Sequence, residues 1–195
     1  MIGSNMTTRV VCFVLCAAPW SSAPAAAQRP TAVYTPAAGV PTPRFGIDER
    51  PGRPTYVVNS SHPRATDTDN PQGCAEQPRL SPPARVPAGA VVEVRGGPYE
   101  VGRSTWETPG TQAEPIFFVG TGDPVIRGRE LTFAGRYTII DGFVFDGVPL
   151  LMPPATSHLS LRRSIVRNWS PSGHSAAIVP MGSDIVIVGN EIHNN

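Results

Sequence analysis

The chain has 195 residues, a formal net charge of +1 and only 16% charged residues, with no block of like charges. This balance excludes a nucleic-acid partner held by phosphate neutralisation. Of three cysteines, Cys12 and Cys16 lie in the first segment, so its removal would leave Cys74 alone and no internal disulfide.

Residues 1–27 read as a signal peptide. Arg9 precedes an apolar run, Val10 to Ala18, that is too short to cross a bilayer, and Ala25-Ala26-Ala27 supplies the small residues before a cut at Gln28. Bulky Val11 and Leu15 ahead of the two cysteines argue against a lipid anchor. A secreted or periplasmic location is expected, with no membrane span after cleavage. Residues 28–54 hold six prolines and almost no apolar periodicity, the composition of a disordered tether.

An ordered domain is expected over 55–195, with an N-terminal cap region at 55–115 and repeats at 116–195. In the cap region TDTDNPQG places Asp67 and Asp69 at the spacing of a calcium loop. Pro71 and Gln72 stand where further ligands and a glycine belong, so a turn is the better reading. Cys74, in NPQGCAEQPR, reads as a small packed side chain because no histidine partner is recognisable. GTGDPV has Val125 at the third glycine position of a dinucleotide fingerprint and is discarded.

From Ile116 the sequence repeats. YTIIDGFVFDGV (137–148), HLSLRRSIVRNW (158–169) and DIVIVGNEIHNN (184–195) align without gaps, and IFFVG plus PVIRG forms an earlier copy. Arg127, Asp146, Arg167 and His193 then share a column at spacings of 19, 21 and 26 residues. Repeats of this length with period-2 alternation predict units that bury their apolar faces by stacking. Each repeat offers three short strands: LTFA, YTII and FVFD in one, AAIV, IVIV and EIHN in the last, with a degraded first segment, LLM, between them.

Like stacks on like only if the strands pair in parallel. Alternation then points Thr138, Ile140, Phe143 and Phe145 inward and Ile139, Asp141, Val144 and Asp146 outward. Gly120, Gly142 and Gly189 occupy bends, whereas Arg163 interrupts their column and predicts a different bend there. Asn190 is expected to hydrogen-bond along the stack.

These repeats and their IHNN phrase, together with YVVNSS, TDTDNPQG and PAGAVVEVRGGPYEV upstream, resemble the right-handed parallel β-helix proteins and are similar to pectate-lyase-like polysaccharide enzymes. The resemblance implies an all-β fold, a right-handed parallel β-helix of about four coils that ends without a C-terminal cap and so reads as truncated. It also implies an acidic polysaccharide as partner, and calcium as a cofactor on this ground alone. Self-association through the uncapped C-terminal edge is a further expectation.

The outward column Arg127, Asp146, Arg167 and His193 supplies weak catalytic candidates. A polysaccharide lyase needs a base beside a uronate and cations to neutralise its carboxylate. Asp141 and Arg162, opposite one another in the next column, are candidates for substrate binding. Mutual neutralisation of stacked charges is the stronger reading of both sets. His62, His158, His174 and His193 share no metal-ligand spacing, so no metal site is assigned. Two functions follow: the N-terminal part of a secreted carbohydrate-active enzyme (lyase, epimerase or hydrolase), or a noncatalytic surface or adhesion protein; a nonfunctional truncated product is the third reading.

Limited proteolysis is expected to cut first within residues 28–54 and to spare the chain from Tyr56 onward, since only the latter has apolar residues to bury. First cuts inside Ile116 to Asn195 would contradict this organisation.

Overall fold

A computed structural model describes residues 54–170 and 176–195, all within the second of the chain's two units, Val33–Asn195. The signal-peptide and tether readings and His174 lie outside the described residues. Fourteen strands and no helix are found among the described residues. In chain order they are β1 (Tyr56–Asn59), β2 (Val91–Arg95), β3 (Tyr99–Glu100), β4 (Arg103–Pro109), β5 (Ile116–Gly120), β6 (Val125–Arg127) and β7 (Glu130–Asp141). There follow β8 (Val144–Asp146), β9 (Leu150–Met152), β10 (Ser157–Arg162), β11 (Ile165–Arg167), β12 (Ile178–Pro180), β13 (Ser183–Val188) and β14 (Glu191–His193).

Three ladders result. The first runs β1-β2-β5-β7-β10-β13 and the second β3-β6-β8-β11-β14. In the third, β4 and β9 flank the first half of β7, and β12 pairs β9. β7 serves two ladders because it turns at Tyr137, whose φ is +51°; its second half pairs β5 and β10. From β2 onward the chain visits first, second and third ladder in fixed order. It therefore returns to each ladder running the same way, and every pairing is parallel. The short LLM segment is β9, a full member of its ladder rather than a degraded one.

The register aligns the copies as the repeat requires. Thr138 stands between Ile116 and Leu159, and Leu159 faces Ile185; Phe145, Val166 and Ile192 follow one another in the second ladder. Inward residues of all three ladders meet in one core. Trp106 of β4 stacks on Phe118 of β5 at 4.5 Å and meets Phe133 and Phe143 edge-on, while Phe143 stacks on Phe145 at 5.7 Å. These rings are buried, each contributing about 1.5–3 kcal/mol relative to exposure. In the last rung this shielding ends, since Ile187 and Ile192 are 39% and 53% exposed although the residues beneath them are buried.

Ile139 and Val144 point away from the core as expected, yet both are buried, and Ile139 belongs to a second apolar cluster with Val91, Phe117 and Val119. The first ladder is apolar on both faces here, as parallel sheets commonly are. Two bends are corrected: Arg163 makes the same left-handed bend as Gly142 and Gly189, its φ +50° against +77° and +62°, whereas Gly120 lies in extended β5. A left-handed arginine is strained by roughly 1–2 kcal/mol. Its guanidinium bond to Asp141 offsets that strain.

Gly120 is required for a different reason, because a Cβ there would lie 2.2 Å from the Gly142 carbonyl oxygen of the next rung. Asn190 ties three rungs: its Oδ1 accepts from the Ser164 backbone at 2.8 Å, its Nδ2 donates to the Leu161 carbonyl at 2.8 Å, and Ser164 Oγ accepts from the Phe143 backbone. Gly120→Ala is expected to lower stability by about 1–3 kcal/mol through overpacking. Asn190→Ala should lose a similar amount, about 1–3 kcal/mol, by stranding buried backbone groups. Urea unfolding midpoints equal to that of the parent would refute these assignments.

Candidate functional site

After the two-residue β3, the second ladder is built from three-residue strands whose middle residue points inward, so the last residue of each points out. Phe145 and Val166 anchor β8 and β11 in the core, and this fixes Asp146 and Arg167 on the outer face. The register places Asp146 beside Arg167 and Arg167 beside His193, and Arg127 follows Ile126, the partner of Phe145. One rung earlier, Glu100 pairs with Arg127. The outward column thus reads Glu100, Arg127, Asp146, Arg167, His193, and Glu100 is a member the repeat alignment missed because it lies before Ile116.

Asp146 is the hub. Arg127 reaches its Oδ2 at 3.0 Å and Arg167 the same oxygen at 3.5 Å, while Asn168 Nδ2 donates to Oδ1 at 2.7 Å. The Asn168 amide, then the two guanidiniums, hold the Asp146 carboxyl below its ordinary pKa against an opposing effect of burial. Asn168 occupies a left-handed bend at φ +57°, as do Gly147 at +74° and Asn194 at +56°. That shared column was the signal that could have marked it. His193 lies 3.4 Å from Glu191, a contact that counts as an ion pair only when the imidazole is protonated.

Along the first ladder Asp141 is buried and takes two arginines. Arg162 Nε donates to Oδ2 at 3.2 Å and Arg163 Nε to Oδ1 at 2.7 Å, with a second bond from Arg163 to Oδ2. Donating to the Asp141 carboxylate keeps the Arg163 guanidinium charged, its pKa raised despite burial. The repeat alignment pairs Asp141 with Arg162 and places Arg163 at a bend; the fold brings Arg163 to the same carboxylate. Each carboxylate therefore gathers two guanidiniums, Asp141 at the end of a first-ladder strand and Asp146 at the end of the second-ladder strand that follows it, and the Nε of Arg167 is left without a hydrogen-bond partner among the described residues.

Both carboxylates spend their oxygens on guanidinium and amide donors. The pair does not fit a calcium ion, which takes six to eight oxygen ligands. Asp67 is likewise engaged, accepting from the Leu80 and Ser81 backbones and from Ser81 Oγ. No cluster of three or more histidine, cysteine or acidic residues suited to a metal occurs among the described residues. Cys74 is a half-buried free thiol, and His62 Nδ1 accepts from the Arg64 backbone in a local turn. A general base needs a pKa tuned toward neutrality. Asp146 is tuned the other way.

No protein-family profile matches the chain, and comparison with curated proteins and with solved structures gives no match.

Because folded Asp146 holds its proton less tightly than the unfolded chain does, it contributes stability above the ordinary carboxylate range, and that contribution is lost as pH falls through this range toward the folded pKa. Asp146→Asn should therefore flatten part of the acid limb of stability against pH, measured by urea unfolding from neutrality downward. An acid limb unchanged in the variant would show that the hub is not linked to folding.

Proposed function

We propose that the chain is a right-handed parallel β-helix protein of the secreted, pectate-lyase-like kind, and that its charged outer face binds acidic polysaccharide without turning it over. The single observation that carries this reading is the surplus of guanidiniums over carboxylates around Asp141 and Asp146. Three supports join it: the cyclic order of the ladders, their parallel register, and the sequence resemblance.

Arginine forks match carboxylates in shape and keep their charge at every physiological pH. Arg127 and Arg167 sit two rungs apart, about 9.6 Å along a ladder of 4.8 Å spacing, with side chains 47% and 35% exposed. A uronate chain lying along the column meets a cation, a neutralised carboxylate and a second cation in turn. Asp141 and Asp146 hold the arginines in position. Lyase or hydrolase chemistry is the alternative, and the depressed pKa of Asp146 disfavours it as the base.

Polygalacturonate is expected to bind the full chain with an affinity that falls as salt rises, because the contacts are exposed ion pairs. Arg127→Ala combined with Arg167→Ala should weaken binding severalfold, read by calorimetry. No unsaturated sugar should form, as followed by ultraviolet absorbance. Undiminished binding in the double variant would remove the site, and an absorbance rise abolished by Asp146→Ala would replace binding with lyase catalysis.

A further inference from the structure

At their starting ends the three ladders are not treated alike. The first is covered by a bridge between Val58 and Arg79, and the third by one between Arg85 and Glu107. The second begins at β3, an end strand with no described strand beside it. Arg127 spends its backbone groups on the residues flanking Glu100, as shown by the 2.8 Å bond from the Val101 N–H to the Arg127 carbonyl. Strand backbones alternate in direction, so the N–H and C=O of Glu100 face away from β6, to the side on which no described strand lies.

A cavity of about 430 Å³ opens at this edge, lined by Leu80, Pro82, Tyr99, Glu100, Ser104 and Trp106 among others. Leu80, 48% exposed, is an apolar side chain on its wall. Tyr99 forms a floor fixed by a 3.1 Å hydrogen bond from the Ser60 backbone to its hydroxyl. The volume lies within the range of ordinary ligand pockets, and an end strand beside a pocket of mixed lining, where Leu80 and Tyr99 stand with Ser60 and Ser104, is the arrangement used for strand addition.

We propose that this edge docks one extended peptide strand of a partner protein, parallel to β3 and carrying an apolar-basic-apolar triplet. The triplet follows from register. The central residue stands opposite Glu100 and points outward at the head of the column Glu100, Arg127, Asp146, Arg167, whose signs alternate. A cation continues the alternation, and Glu100 has no ion pair among the described residues. The residues on either side point inward, above Tyr99 and into the cavity. The Glu100 N–H donates to the carbonyl of the first apolar residue, and the Glu100 carbonyl accepts from the N–H of the second. That second position excludes proline.

The test uses the full chain and a fluorescein-labelled Gly-Thr-Val-Arg-Val-Thr-Gly peptide, followed by anisotropy. Three controls accompany it: a peptide with glutamate for arginine, a peptide N-methylated on the valine after arginine, and the Glu100→Lys protein. Glu100 is exposed, so this variant is expected to fold, as checked by its melting curve. The arginine peptide should bind about three- to tenfold more tightly than the glutamate peptide, as exposed charge pairs allow. Glu100→Lys should reverse that order, and N-methylation should abolish binding. The proposal is overturned if the arginine peptide fails to bind at millimolar concentration, if Glu100→Lys leaves the preference unchanged, or if the N-methylated peptide binds as well as its parent.

Discussion

Everything in this molecule depends on parallel backbone pairing between successive rungs. A strand of three or four residues is too short to stand alone. It persists because its N–H and C=O groups are satisfied by the strands before and after it, and because its inward side chain completes a core shared by three ladders. Phe118, Phe145 and Phe133 come from three different ladders and enclose one aromatic cluster with Trp106 and Phe143. Loss of one rung would expose its neighbours, as the open side chains of Ile187 and Ile192 illustrate.

The same pairing that builds the core sets out the charges. Register leaves no freedom in which outward residue meets which, so Asp146 lies between Arg127 and Arg167 by the same constraint that puts Phe145 beneath Val166. Charge alternation along a ladder is thus a by-product of stacking that becomes a surface property. At the bends the constraint is conformational. Gly142, Arg163 and Gly189 all take left-handed geometry, and where the residue is an arginine its side chain returns to Asp141. Asn168 couples a bend to the charged hub in the same way.

Binding and catalysis demand opposite things of such a carboxylate. A base has to give up its hydrogen-bond partners or be pushed toward neutrality by burial, whereas Asp146 collects an amide and two guanidiniums. Its contacts hold Arg127, Arg167 and Asn168 together. Because each guanidinium has more donors than one carboxylate can accept, an ordered arginine retains capacity for a second anion.

The repeat alignment alone determined that the chain is all-β, that its strands pair in parallel, and which residues share the columns of Arg127 and of Asp141, because a period near twenty residues with alternating apolar positions admits few other arrangements. Asn190 as a link along the stack was legible for the same reason. Tertiary structure decided the rest. It buried the outward Ile139 and Val144, since alternation tells which face a residue occupies and nothing about what that face packs against. It added Glu100 to the column, because the rung of β2, β3 and β4 lies before Ile116, where the sequence alignment begins. Arg163 and Asn168 became partners of the two carboxylates because the direction of a side chain leaving a left-handed bend is set by φ, and φ at a non-glycine bend is imposed by the rungs on either side.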